Sequence, residues 1–302
     1  MAQAAGNDEG GVLTAALVQL SVGDDPAANL PVTRGLVAEA AGQGATLVCT
    51  PEVTNLLTPD RARQARLLHC QADDPTLAAL REDAARLRVW LSIGSISLKG
   101  DDPADTRFVN RSFLIGPDGR IAGCYDKIHM FDATVSEHES YRESAAFRAG
   151  DTAVVARGPD DLPIGMTVCY DVRFPHLYRR LAVAGARILL VPAAFNDTTG
   201  AAHWEVLLRA RAIETGCFVL AAAQCGTHAA PHSPEARPRR SYGHSLAVAP
   251  WGEVLADGGT EPGVTLVRLD LARVADARGR VPAWRHDPVI RGPALSGPDV
   301  AR

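Results

Sequence analysis

The chain has 302 residues, 46% of them hydrophobic, which is enough for a large buried core and too many for a chain that stays disordered. Its 31 basic and 35 acidic residues leave a formal charge of −4, so no overall positive field is available to hold nucleic acid or an anionic membrane. The longest apolar runs fall short of the roughly 18 residues a bilayer span needs, and chemistry on small molecules is the default that remains.

The first eleven residues carry no basic n-region; they are expected to be a disordered N-terminus, and the protein to be cytoplasmic. Val12 to Leu20 reads as a strand and Asn29 to Ala41 as a helix stopped by Gly42 and Gly44, which makes a βα unit. Thr46 to Thr50 reads as a short buried strand closed by Pro51. Pro75 to Arg88 carries Leu77, Leu80, Ala84 and Leu87 at helical spacing, and Val89 to Leu98 alternates as a strand. Val109 to Ile115 and Ile121 to Asp126 flank Pro117-Asp118-Gly119-Arg120, a strong hairpin signal. A strand over Ile164 to Cys169, a helix over Phe174 to Ala184, a strand over Arg187 to Val191, a helix over Ala201 to Thr215 and a strand over Cys217 to Ala223 follow. Gly44 to Pro51 and Gly185 to Pro192 resemble each other, each reading helix end, Gly-Ala, apolar strand, Pro. Two related βαβ halves in one layered fold are the consequence. Thr227 to Arg240 is rich in Pro and Arg without apolar period and reads as a mobile surface loop. Residues 281–302 read as a C-terminal tail or an arm lying on a neighbour.

The six cysteines are too sparse for a disulfide framework and read as free thiols. Cys169 stands out because it ends a buried strand just before a helix, where the helix N-terminus would lower its pKa and offer donors to an oxyanion. Glu52 also ends a strand, so in a parallel sheet its side chain and that of Cys169 could emerge at one edge. Of the 31 basic residues only Lys99 and Lys127 are lysines; Lys127 is polar within an apolar run, and its ordinary reading is an ion pair with Asp126 or Asp132.

Taken together, Pro51-Glu52, the run YDKIHMFD at 125–132 and CYDVRFP at 169–175 resemble the Glu-Lys-Cys motifs of the nitrilase superfamily of carbon-nitrogen hydrolases. The resemblance spans residues 12–280, places a second glutamate at Glu143, and extends through His203 to Glu214, Ala221 to Gln224, Tyr242 to Ser245 and Pro250 to Gly252, which are similar to the Nit subgroup. It implies an α/β fold, specifically a four-layer α-β-β-α sandwich over residues 12–280, assembled as a homodimer or higher homo-oligomer through helical faces. It also implies an amidase in which Cys169 attacks, Glu52 carries the proton, Lys127 and the Tyr170 backbone N–H hold the oxyanion, and Glu143 keeps Lys127 charged; no metal or organic cofactor is implied. The substrate expected is a small carboxylate-bearing amide, with deaminated glutathione as one candidate. A 2-oxoglutaramate-type ω-amidase, an N-carbamoyl amino acid hydrolase and a non-catalytic binding protein on the same fold are the alternatives.

Arg173, Phe195, Asn196 and Thr199 are expected in the pocket. Arg173 either grips a substrate carboxylate or makes a structural ion pair. His176 stands where many relatives carry an acidic residue, and the Pro/Arg segment before Tyr242 looks longer than in close relatives. Other features have plainer readings. Gly243 to Ala247 lacks the last glycine of a nucleophile elbow, Gly42-Gln43-Gly44 is a helix stop, and Trp204, Leu207, Leu208 and Ile213 bury a helix face or dimerise. His228 and His232 read as solvated loop histidines, since Pro231 and Pro234 forbid the helix that would align them on a metal.

Overall fold

The structure, a computed structural model of the chain, describes residues 11–286 apart from 103, 138 and 233–238, together with 288, 289 and 292. Most of the segment expected as a disordered N-terminus, and the end of the tail, lie outside these residues. Along the chain run β1 (Val12–Gln19), α1 (Pro26–Gly42), β2 (Leu47–Cys49), α2 (Arg61–Leu67), α3 (Pro75–Leu87), β3 (Trp90–Lys99), β4 (Phe108–Ile115), β5 (Ile121–Asp126), β6 (Asp132–Ser136), β7 (Glu139–Arg142), β8 (Val154–Arg157), β9 (Pro163–Met166), α4 (Pro175–Val183), β10 (Ile188–Leu190), α5 (Asp197–Thr215), β11 (Phe218–Ala221), β12 (Cys225–Thr227), β13 (Arg240–Tyr242), β14 (Leu246–Val248), β15 (Val254–Asp257), β16 (Gly263–Asp270) and α6 (Ala272–Arg280).

Two six-stranded sheets form the centre, ordered β16-β1-β2-β3-β4-β5 and β15-β14-β11-β10-β9-β8. In each, three parallel strands are flanked by antiparallel ones. The two similar sequence segments supply the middle parallel strand of each sheet, β2 and β10, and Gly44 and Gly185 before them both take positive φ, +93° and +98°. Alternation along β1 explains the layering. Leu13, Ala15 and Leu17 face the second sheet, whereas Ala16 and Val18 pack with residues of α1 and α3. Helices α4 and α5 cover the far face of the second sheet. The result is the four-layer α-β-β-α sandwich, with one apolar core between the sheets and another beneath α1 and α3.

Several boundaries move for local reasons. The first helix begins at Pro26 instead of Asn29, because Asp25 accepts from the Ala27 N–H at 3.0 Å and proline suits the first helical position. The long helix α5 starts at Asp197 because Asn196 caps it, accepting from the Thr199 N–H at 3.1 Å. The strand expected to run to Cys169 stops at Met166, and Cys169–Arg173 forms a 3-10 turn that separates the thiol from α4. Trp284, in a 3-10 turn over Pro282–Arg285, packs under Arg278 with the guanidinium carbon 4.4 Å from the ring centre.

Of the two histidines expected to be solvated in the Thr227 to Arg240 loop, His232 is exposed but His228 is not. The ends of the loop pair as β12 and β13, and His228 is only 3% exposed, its Nδ1 bonded to the Val22 carbonyl and its Nε2 to Ser241 Oγ, both at 2.8 Å. A histidine with both ring nitrogens satisfied is held in the core even when its sequence neighbourhood is polar.

Candidate active site

Glu52 and Cys169 both follow parallel strands, β2 of one sheet and β9 of the other, so the carboxyl ends of the two sheets converge on one point. Between them Gly94 lets the layers approach: a Cβ there would lie 2.0 Å from the Thr50 carbonyl oxygen and 2.5 Å from Pro192 Cβ. Lys127 comes directly after β5, and Glu143 opens a 3-10 turn after β7.

Lys127 Nζ donates to Glu52 Oε1 at 2.9 Å and to both carboxylate oxygens of Glu143 at 2.9 Å. The expected pairing of Lys127 with Asp126 or Asp132 does not occur; Asp126 is gripped by Arg111, and Asp132 accepts from Ser144. Glu52, 4% exposed, also accepts from Asn110 Nδ2 at 2.9 Å and, through Oε2, from the Ala194 N–H at 2.8 Å. Gln224, within the expected Ala221 to Gln224 match, donates to the Glu52 carbonyl at 2.9 Å and so fixes its backbone. Glu143 Oε2 further accepts from the Phe131 N–H at 2.6 Å.

Cys169 has φ of +50°, an uncommon conformation for a residue with a Cβ. Two contacts hold it there. Its N–H donates to the Pro192 carbonyl at 2.8 Å, and buried Asp171 accepts from the Val168 N–H at 2.8 Å. The same carboxylate accepts from Tyr125 OH at 2.7 Å and from the N–H and Nδ1 of His129 at 3.1 and 2.7 Å. The nucleophile turn is thereby tied to the strand and loop that carry Lys127. His129 in turn stacks on Phe174, ring centres 3.6 Å apart, and His176 meets it edge-on.

The expectation of a thiol acidified by a helix N-terminus is overturned. Burial raises the Cys169 pKa well above that of a free thiol and the adjacent Glu52 charge adds to it, while Lys127 and the Ala194 N–H oppose them with less effect. Burial also acts to raise the Glu52 carboxyl, but the Lys127 charge and hydrogen bond, the bond from Cys169 and the Arg239 charge outweigh it and hold Glu52 low. Desolvation disfavours charged Lys127, yet Glu143 and Glu52 hold its pKa above the ordinary value. The resting set is therefore a thiol, a carboxylate and an ammonium: a protonated nucleophile beside an ionised base.

All nine residues expected in the site line one cavity of about 570 Å³. Asn196 is fully engaged there, its Nδ2 bonding Glu139 and Tyr141 OH, and Phe195 lies beneath Arg173. Arg173 makes no ion pair among the described residues; it contacts His203 Nδ1 at 3.3 Å and covers the Tyr170 and Phe195 rings. Sequence reasoning missed Asn110, Tyr141 and Arg239. Asn110 carried a faint signal, as a polar residue inside the apolar strand β4. Arg239 carried none, lying in a stretch without period. No group of three or more His, Cys, Asp or Glu positioned for a metal ion occurs among the described residues, and none of their helices is long and apolar enough to cross a membrane.

This fold and this Cys-Glu-Lys cluster define a hydrolase of carbon-nitrogen bonds. The sequence profile of the family described as Carbon-nitrogen hydrolase matches residues 14–279, and the chain belongs to that family. It is 37% identical over 273 residues to the deaminated glutathione amidase of Yersinia enterocolitica, with 90% of this chain and 92% of that one covered. It is 38% identical over 287 residues to the deaminated glutathione amidase of Homo sapiens, covering 93% of this chain and 83% of that one. The solved C. elegans NitFhit protein superposes with a TM-score of 0.82 at 34% identity, covering 92% of this chain but only 65% of that longer one.

Proposed function

We propose that the protein is an amidase that cleaves a small carboxylate-bearing amide by way of a Cys169 thioester, with deaminated glutathione the first substrate to test because similar enzymes bear that name. The observation that carries this reading is the buried contact of Lys127 Nζ with Glu52 and Glu143 in the cavity that Cys169 also lines. Cys169 Sγ attacks the amide carbonyl carbon as its proton passes to Glu52, and the C=O electron pair moves onto oxygen. Lys127 and the Tyr170 backbone N–H stabilise that oxyanion; one such donor is typically worth about 10²- to 10³-fold in rate. Glu52 then gives its proton to the departing nitrogen, the C–N bond breaks, and a thioester remains. Water attacks the thioester with Glu52 again taking the proton, and as the C–S bond breaks Glu52 returns that proton to sulfur, releasing a carboxylic acid and the free thiol. Glu143 keeps the ammonium charged and in place. Because the resting thiol is protonated and Glu52 ionised, proton transfer coincides with attack and no free thiolate need persist in the buried site.

Cys169→Ala should abolish ammonia or amine release from deaminated glutathione and from a panel of 2-oxo-acid amides while leaving the thermal midpoint near that of the parent. Turnover retained by that variant would remove Cys169 from the mechanism. A folded parent protein that releases nothing from any amide of the panel would favour the non-catalytic alternative. The panel also separates this reading from the ω-amidase and N-carbamoyl hydrolase alternatives. The free state of all six cysteines fits a reducing, cytoplasmic setting. The exposed Val206 and Ile213 of α5, together with Trp251, fit assembly through a helical face.

A further inference from the structure

Five cations and three carboxylates line the catalytic cavity: Arg61, Lys127, Arg142, Arg173 and Arg239 against Glu52, Glu139 and Glu143. Lys127 is consumed by Glu52 and Glu143, and Glu139 by Tyr141 and Asn196. The four arginines have no carboxylate within ion-pair distance among the described residues. Arg61 and Arg142 are exposed at the rim, where water screens them, but Arg239 is half-buried.

Arg239 is also the best prepared of the four. Its Nη2 donates to the Ala194 carbonyl at 2.9 Å, the residue whose N–H holds Glu52. Its guanidinium carbon lies 5.7 Å from the centre of the Tyr141 ring, and the same arginine's charge reaches Glu52. Its Nε is buried with no hydrogen-bond partner. Arg239 lines the cavity with Nη1 unpaired among the described residues, and an arginine's planar donors match the two oxygens of a carboxylate.

We propose that Arg239 is a specificity-determining residue that binds a carboxylate of the substrate remote from the amide under attack and so selects acidic amides over neutral ones. This rests on the amidase reading and adds which side chain makes the choice. An arginine already held by Ala194 and lying over the Tyr141 ring loses little freedom on binding.

Two measurements test it. In the first, calorimetry follows glutarate binding to Cys169→Ala and to Cys169→Ala/Arg239→Ala, with valeramide as the neutral probe. Glutarate affinity should fall about ten- to a hundredfold when Arg239 is removed, the range set by a charged hydrogen bond. In the second, kcat/KM is compared for glutaramate and valeramide, two five-carbon amides that differ in the distal carboxylate. The ratio favouring glutaramate should collapse in Arg239→Ala, recover in part in Arg239→Lys, and invert toward 5-aminovaleramide in Arg239→Glu. Glutarate bound equally with and without Arg239, glutarate not bound at all, or an unchanged ratio overturns the proposal. Tight glutarate binding lost with Arg239, but no product in the parent from glutaramate, deaminated glutathione or any amide of the panel, sustains Arg239 as a carboxylate site and overturns the amidase reading instead. Thermal midpoints and Cys169 alkylation rates report whether each variant has folded with its site assembled.

Discussion

Asp171 Oδ1 accepts two bonds from His129, one from its backbone N–H at 3.1 Å and one from Nδ1 at 2.7 Å, while Oδ2 takes Tyr125 OH and the Val168 N–H. Since a carboxylate only accepts, Nδ1 of His129 carries the proton. This one buried group joins the turn that strains Cys169 to the strand end that presents Lys127. Asp171→Asn would turn one oxygen into a donor facing donors, so it should slow alkylation of Cys169 by iodoacetamide and lower kcat by roughly 10²-fold with KM moved far less. Tyr125→Phe removes a single donor and should cost about 1 kcal/mol of stability by chemical denaturation, with a smaller effect on kcat. An Asp171→Asn enzyme with parental kcat would show that the turn holds itself.

Asn110 supplies the second donor to Glu52 Oε1 beside Lys127. Glu52 sits below the ordinary carboxylate range, so an activity that needs its carboxylate form should keep its acid limb below that range too. Removing the Asn110 donor with Asn110→Leu destabilises the charged form, raises the Glu52 pKa and moves the acid limb of the kcat/KM profile to higher pH. A lowered folded pKa contributes stability at pH above the unfolded value and loses it as pH falls through the folded value. The variant should therefore also lose stability at neutral pH, and by less once the medium is acid enough to protonate Glu52 in both states. A profile that does not shift would mean that Lys127 alone sets the base.

Much of this site was legible because its chemistry demands odd residues in plain surroundings: a carboxylate and a thiol at ends of buried strands, and one of only two lysines in a chain that otherwise uses arginine. What escaped reading is what depends on long-range contact. Asn110 looks like any polar residue of a strand until Glu52 arrives from 58 positions away. Arg239 and His228 lie in a stretch whose polarity says surface, although one enters the cavity and the other is buried against Val22. Short strands such as Val154–Arg157 hold too few residues to show a period. The direction of the Cys169 pKa was misjudged because sequence shows the following helix but not the carboxylate placed against the sulfur.

Burial, with Arg239 adding to it, pushes the His228 pKa down to about 4, while the bond to Val22 opposes the shift. In the unfolded chain a histidine titrates near 6.5, so between those values the unfolded state binds the extra proton, and stability falls as pH drops through that window. The loss should reach roughly 2–3 kcal/mol by pH 4, read as the difference in denaturant midpoint between the parent and His228→Gln, whose side chain can keep one of the two bonds without titrating. Equal pH dependence in the two proteins would exclude His228 as the source.

Gly94 tests whether the close approach of the two sheets is what assembles the site. A methyl group at this position would overlap the Thr50 carbonyl at 2.0 Å, and Pro192 Cβ and the Pro51 carbonyl at 2.5 Å. None of these can swing away as a long side chain would: two are backbone oxygens just before Glu52, and Pro192 supplies the carbonyl that holds the Cys169 N–H. Gly94→Ala must therefore push the Glu52 segment away from the Pro192 segment by an ångström or so, at a cost of about 1–3 kcal/mol for overpacking. Displacement on that scale is large against the 2.9 Å contact between Lys127 and Glu52, and misplacement of about 1 Å can cost on the order of 10²-fold in rate. The variant is expected to keep its circular dichroism spectrum and lose most of its turnover, while Gly165→Ala, which meets only Leu189 and Leu181 side chains at 2.8 and 3.2 Å, loses stability with a smaller fall in kcat. Full activity in Gly94→Ala would mean that the two halves of the site tolerate separation, and that their convergence does not govern the chemistry.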